Sequence, residues 1–288
     1  MPTVLQPPVP PSFKDAARDQ WNRSAAGWNE HGAEIHAWLA PATEAMLDMA
    51  GVVPGARVLD VAAGAGDQTL AIAHRVGPGG SVLATDLSPG ILALAEANAA
   101  RAGLRNVATQ VVDGEQLALG AASFDAAVCR LGLMLFPDPL QGLRGMRRAL
   151  RPGGGICTLV FSRPQANPCV TLLMATALKH AGLPARDPFQ PGGLLSLGKP
   201  GLADTLFGEA GFRDIASTVI DAPFRLPSAR HYLDFVRSSA SPIQQILGRL
   251  TPAAAEAAWA EMEQHLQAFT TPTGWEGPNE LLLTAARV

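Results

Sequence analysis

The sequence has no apolar run approaching the ~20 residues that a membrane-spanning helix requires, so no membrane span is expected. It has no basic excess either. Lys and Arg number 22 against 25 Asp and Glu, a net charge of −3, which argues against the basic surface of a nucleic-acid groove. Cysteine is scarce: Cys129, Cys157 and Cys169 show neither metal-ligand spacing nor a paired framework. Reduced thiols in a cytosolic protein account for them, and no metal is expected. Residues 1–12 hold five prolines but no basic start and no apolar h-region. They read as an extended arm rather than a signal peptide, and the expected location is cytoplasmic. Charged residues make up 16% against 48% apolar, the balance of a globular chain. At 288 residues the chain can bury a substantial core, as one large domain or one domain with an inserted cap.

Residues 57–67 read R-V-L-D-V-A-A-G-A-G-D. The apolar run around Asp60 suits a short buried strand. It breaks into small residues with Gly64 and Gly66, and a helical pattern follows at once. A strand that gives way to a glycine turn and a helix brings bare backbone and a helix N-terminus close to a ligand. Asp86 ends the next apolar run, placed to accept hydrogen bonds from ribose hydroxyls. The layout is that of a site for a nucleoside-containing cofactor.

Taken in order, a helix over about 14–28 places Trp21, Ala25 and Trp28 on one face. Two readings stand side by side: a helix docked on the core by its tryptophans, or a lid whose aromatics cover a ligand. A second helix is expected over about 41–50, with Pro41 in its first turn. Strands follow at 57–61, at 81–86, at 107–112, at 124–130 and at 155–161, with helices between them. Ser88-Pro89 forms an N-cap and first-turn pair. This alternation argues for a parallel sheet covered on both faces. Beyond it come a helix at 169–181, a loop rich in Gly and Pro, a helix at 202–210, a sixth strand within 212–224, a helical block over 228–269 and a closing strand at 281–286. The domain reading is an N-terminal arm and lid (1–50), a cofactor-binding core (51–226, with an insertion at about 164–200), a helical cap (227–276) and a last core strand (277–288).

The dinucleotide fingerprint requires a third glycine where Thr69 stands. The remaining set is more telling: V-L-D-V-A-A-G-A-G, A-T-D-L-S-P, D-G-E-Q-L, S-F-D-A-A-V-C-R, L-F-P-D-P and A-L-R-P-G-G, in that order. Over about residues 55–161 the chain resembles the class I S-adenosylmethionine-dependent methyltransferases, most closely the branch like the ubiquinone and menaquinone biosynthesis methyltransferases. The resemblance implies a Rossmann-like α/β fold: a seven-stranded, mostly parallel sheet with an antiparallel last strand, helices on both faces and helical cap insertions. It implies S-adenosyl-L-methionine as cofactor and S-adenosyl-L-homocysteine as product. Asp60, Ala62, Gly64 and Gly66 would face the methionine part. Asp86 would hold the ribose hydroxyls, with Leu87 against the adenine. Asp113 would accept from the adenine amine beside the Gly114 N–H, and Arg130 would lie near the methionine moiety. Ala62 departs from the glycine found in many members.

The implied reaction is direct displacement at the methyl carbon, where the protein mainly positions two reactants and excludes water. If the acceptor must lose a proton, His31 is the first candidate base, ahead of His36, His180 and Tyr232. Each of the four also reads as an exposed or packed residue. Trp21, Trp28 and Tyr232 are the candidate lid and substrate contacts. Cys129-Arg130-Leu131-Gly132 offers no acidic cluster for a metal-dependent catechol enzyme and no N-P-P-Y motif, and Cys169 reads as a buried thiol. The apolar cap suggests a small hydrophobic or aromatic acceptor methylated at oxygen or carbon, although these residues would equally serve as the core of a helical subdomain. Two other classes stay open: a non-catalytic protein that binds the same cofactor, and an NAD-dependent dehydrogenase. Oligomeric state is not readable.

Overall fold

The computed structural model describes residues 13–239 and 241–288; the proline-rich stretch 1–12, expected as an arm, lies outside the described residues. Two helices come first, α1 (Phe13–Glu30) and α2 (Gly32–Ala50). The alternating unit follows: β1 (Arg57–Val61), α3 (Asp67–Val76), β2 (Ser81–Asp86), α4 (Pro89–Arg101), β3 (Val107–Val111), β4 (Phe124–Arg130), α5 (Pro139–Ala149) and β5 (Leu150–Phe161). Then come α6 (Pro168–His180), α7 (Leu202–Glu209), β6 (Arg213–Asp221) and β7 (Phe224–Leu226). The chain ends with α8 (Ala229–Ser239), α9 (Ser241–Leu247), α10 (Pro252–Leu266), β8 (Thr270–Thr271), β9 (Gly274–Gly277) and β10 (Glu280–Arg287).

Seven strands form one sheet in the order β3-β2-β1-β4-β5-β10-β6. The first five are parallel, and β10 runs antiparallel between β5 and β6. The expected Rossmann-like sheet is therefore present, with the last strand of the chain reversed. Burial follows position. The central strands β1 and β4 are buried along almost their whole length, whereas the edge strand β6 is largely exposed. A strand covered on both faces needs a continuous apolar run, and an edge strand does not.

Three local differences from the sequence expectation have physical causes. Helix α2 begins nine residues before Pro41 and carries that proline in its interior. Ile35, Trp38, Leu39, Ala42 and Met46 are all buried on its inner face, and this burial holds the helix together across the missing N–H. Strand β5 begins at Leu150 rather than 155, because its register with β4 shifts between Phe124 and Ala126 and absorbs the Pro-Gly-Gly stretch. A second, three-stranded sheet, β7-β9-β8, closes the cap. Its strands of two to four residues are too short to show a period of two.

Strand order reverses between β1 and β4, which is where an open α/β sheet leaves a crevice beyond its C-terminal strand ends. Both strands end in non-glycine residues of positive φ, Ala62 at 56° and Leu131 at 57°. The two loops approach so closely that a Cβ on Gly132 would lie 2.4 Å from the Cβ of Ala62. Gly132 itself has φ −97°, open to any residue, so only the contact forbids a side chain there. Gly132→Ala is expected to lower stability by about 1–3 kcal/mol. Adding Ala62→Gly should recover part of that loss; in chemical denaturation of the four proteins of the cycle, simple additivity would contradict this contact.

A polar cleft beside an apolar chamber

The cleft at the switch point encloses about 980 Å³ of empty space, including its open mouth. Its walls bring together Ala62, Gly64, Asp86, Leu87, Asp113, Gly114 and Arg130 from four strand ends, with Trp21 and Trp28 reaching over from α1. Those nine residues were all named from sequence.

Asp86 stands at the end of β2 and joins two loops. Its Oδ2 accepts from the Gly64 N–H at 3.1 Å and its Oδ1 from the Ser88 N–H at 3.0 Å. Burial raises its pKa, while these backbone donors and that of Leu87 lower it. A carboxylate holds about four lone-pair sites, so acceptor capacity stays available for a hydroxyl donor. Ser88 caps α4 by accepting from the Ile91 N–H at 3.2 Å. Asp113 accepts from the Glu115 N–H at 3.0 Å, in the turn after β3.

Asp60 and Gly66, expected to reach the methionine part through backbone and water-mediated contacts, do not themselves line the cleft. Asp60 is fully buried behind the cleft wall. It accepts from Thr69 Oγ1 at 2.6 Å and Gln68 Nε2 at 3.2 Å, and so pins the first turn of α3 onto β1. Burial pushes its pKa from 3.8 up to about 7, against the lowering effect of the two hydrogen bonds and of Arg130. Gly66 caps α3 at φ 92°, and a Cβ there would lie 3.0 Å from the Ala95 side chain. Both residues act through the backbone around the cleft, not on its surface.

Arg130 lines the cleft with its charge already met: Nη1 donates to Asp67 Oδ2 at 2.7 Å and to Thr43 Oγ1 at 2.8 Å. Lys14 from α1 is paired with both Asp113 and Glu115. Both cations of the cleft wall are thus matched by carboxylates, and Asp86 is left as an acid without a cationic partner among the described residues. A pyrophosphate would meet an unfavourable field here, whereas hydroxyl donors and a cation would meet a favourable one.

His31, the first candidate base, stands away from both spaces. It lies at the N-cap of α2, edge-on to Phe235 at 5.3 Å, and lines neither the cleft nor the chamber described next. The turn between α1 and α2 holds its ring outside the wall formed by Trp28 and Phe235. His36 is exposed and bonded to Asp67 at 2.9 Å, and His180 is bonded to Glu261 at 2.9 Å. Cys169 is buried, and its thiol is pushed up to about 12 by burial. Among the described residues no cluster of His, Cys, Asp or Glu is arranged for a metal, and no helix is long and apolar enough to cross a membrane.

Behind the cleft lies a second space of about 730 Å³. It shares Trp21, Trp28, Leu131 and Leu135 with the cleft as a common wall. Trp38, Phe161, Phe224, Tyr232 and Phe235 complete its aromatic lining, and among the described residues no charged side chain lines it. Its far walls come from α6, α8 and α9. Trp21 and Trp28 therefore take part in both readings of α1: they pack edge to face at 6.1 Å and they line both spaces.

Several residues of the site carried no sequence signal. Lys14 meets its partners across about a hundred residues of chain. Asn22 Oδ1 accepts from the Ser88 hydroxyl and, at 3.2 Å, from the Gly90 N–H, which ties α1 to the start of α4. Phe136 lies so close to Gly114 that a Cβ there would be 2.2 Å from its ring. Only Phe136 falls within a quoted motif, L-F-P-D-P.

The model of the ubiE/COQ5 methyltransferase family matches residues 35–177. The ubiquinone/menaquinone biosynthesis C-methyltransferase of Hahella chejuensis is 37% identical over 126 residues, 43% of this chain and 50% of the relative. The chain thus spans about half the length of that relative. A nocamycin O-methyltransferase from Saccharothrix syringae is 29% identical over 217 residues, 73% of this chain and 76% of the relative. Among solved structures, phosphoethanolamine N-methyltransferase 2 of Haemonchus contortus, with phosphomonomethylethanolamine and S-adenosylhomocysteine, superposes with a TM-score of 0.60. The match covers 97% of this chain and 61% of that one at 17% identity, a likeness of fold.

Because the folded state raises the Asp60 pKa, the stability this group contributes is complete below about pH 4 and is lost as pH rises through about 7. Asp60→Asn keeps the shape without the charge. The melting temperature of the variant minus that of the native chain is expected to rise steadily between about pH 4 and 8. A flat difference would mean that the carboxyl titrates normally.

Proposed function

We propose that this chain, whose residues 35–177 belong to the ubiE/COQ5 methyltransferase family, transfers a methyl group from S-adenosylmethionine to an oxygen or carbon of a small hydrophobic or aromatic acceptor. The observation that carries this reading is the shared wall: Trp21, Trp28, Leu131 and Leu135 line both an acid-lined cleft and an apolar chamber that no charged side chain lines among the described residues. One space suits a polar, cationic cofactor and the other an uncharged acceptor.

The residues fit the cofactor chemically. Asp86 has acceptor capacity left for a ribose hydroxyl, and the Leu87 side chain offers an apolar surface for adenine. Asp113 would accept from the adenine amine after giving up Lys14, with the Gly114 N–H beside it. Ala62 and Gly64 present backbone to the amino-acid end, and Arg130 stands by with its charge already paired to Asp67. When bound, S-adenosylmethionine supplies an electrophilic methyl group on a positively charged sulfur. The chain's part is then to orient the two reactants and exclude water, the contributions that lower the barrier when the donor is already activated. No His, Asp, Glu or Lys among the described residues lines the chamber, so the reading includes no side-chain base from these types.

Titration calorimetry with S-adenosylhomocysteine, S-adenosylmethionine and NAD separates the classes. The first two are expected to bind and NAD is not. Asp86→Ala should weaken both by roughly ten- to a hundredfold, the range for losing hydrogen bonds to a charged acceptor. Incubation with a panel of phenols and quinols is expected to transfer the methyl group. Transfer to amines or thiols alone would overturn the oxygen or carbon assignment, and binding without any transfer would favour a non-catalytic protein.

A further inference from the structure

Tyr232 is the only tyrosine in the chain and is 5% exposed. Its ring is fixed on α8, stacked on Trp275 at 4.7 Å and 22° and set edge-on to Phe224 at 5.3 Å. It lines the chamber, yet its hydroxyl has no hydrogen-bond partner among the described residues. Neighbouring polar aromatics differ. The indole N–H of Trp38 donates to the Ala222 carbonyl and that of Trp275 to the Leu266 carbonyl, each at 2.7 Å. Buried polar groups are ordinarily satisfied, so an unpaired hydroxyl on a residue that lines a cavity is available to a group held there.

Asn279 is a second group of the same kind. It is 5% exposed at the mouth of β10 and lines the same chamber. Its Nδ2 donates to the Gly277 carbonyl at 3.2 Å, which leaves Oδ1 and the second amide hydrogen unused. Ser239, the other polar side chain on this wall apart from the indoles, is satisfied by the Phe235 carbonyl. The polar capacity at the cap end of the chamber is therefore one hydroxyl and one amide with an oxygen and an N–H free, in a lining that has no charged side chain among the described residues.

We propose that Tyr232 and Asn279 anchor a neutral oxygen, a hydroxyl or a carbonyl, on an otherwise apolar aromatic molecule held in the chamber. The proposal rests on the methyltransferase reading only in naming that molecule the acceptor. A carboxylate, phosphate or ammonium would lose its hydration there with no counter-charge. A purely hydrocarbon ligand would leave the two polar groups unpaired. Burial holds the Tyr232 phenol well above its ordinary pKa, so it remains a donor at neutral pH.

Equilibrium dialysis of the full chain with 2-naphthol, naphthalene and 2-naphthoate tests the anchor without turnover. A chamber lacking it would prefer naphthalene, the most apolar of the three. The native chain is expected to bind 2-naphthol about tenfold more tightly than naphthalene and to leave 2-naphthoate essentially unbound. Tyr232→Phe keeps the stacked ring and removes the hydroxyl. It should lose most of that preference while holding naphthalene to within about twofold and leaving S-adenosylhomocysteine affinity unchanged. Naphthalene binding as tightly as 2-naphthol to the native chain, or a preference that survives Tyr232→Phe, overturns the proposal. So does the absence of binding by any of the three. If the preference holds but no cofactor binds, the anchor stands and the methyltransferase reading fails. If methyl transfer is found with no such preference, the reverse is true.

Discussion

The hydrogen bond from the Gly64 N–H to the Asp86 carboxylate joins the turn after β1 to the end of β2. It sets the spacing of the two strand ends that bound the cleft. Gly64 reaches its φ of 59° without steric cost, and the bare backbone leaves space above it for a ligand. The second Asp86 oxygen holds the Ser88 N–H, and Ser88 in turn caps α4. One carboxylate thus determines where a loop, a strand end and a helix N-terminus meet. The roof uses the same parts: Asn22 of α1 bonds Ser88 and Gly90, and Lys14 pairs with Asp113 and Glu115. Helix α1 is attached through the polar groups that border the site.

The two adjoining spaces divide the chemistry by solvation. Hydroxyl donors and positive charge are favoured among the acids of the cleft. The chamber offers aromatic faces, and among the described residues only the indoles of its shared wall, Tyr232 and Asn279 provide free polar handles. Such a division suits a charged molecule in one space and a neutral one in the other. It also explains the stacking around Tyr232. Rings in contact at 4.7–5.3 Å fix its hydroxyl in place at little entropic cost, since most of the order is supplied by the cap itself.

The parts of the cleft readable from sequence are those in which a residue and its neighbours in the chain do the work. A strand, a glycine turn and a capped helix are local events, so β1, β2, β4, α3 and the Ser88 cap could be placed within a residue or two. Asp86 and Asp113 could be singled out because each ends a strand in the same layout. Asp60 was recognised as part of the motif, but its role was legible only in three dimensions, since both its partners and its burial depend on α3 folding back over β1. Helix α2 shows the opposite error: Pro41 is a strong local signal for a boundary, and the buried face running from Ile35 to Met46 outweighs it.

Sequence by itself determined the alternating α/β order, the reversal of the last strand through its likeness to a known family, and part of the set of residues around the cleft. Tertiary structure alone decided that His31 is held outside the site, that Lys14 closes on Asp113 and Glu115, and that a charge-free chamber abuts the cleft behind Trp21 and Trp28. The physical reason is range. Turns, caps and strand ends are set by neighbours along the chain. A cavity is set by which side chains from distant helices fail to fill the space between them, and no periodicity in the sequence records that.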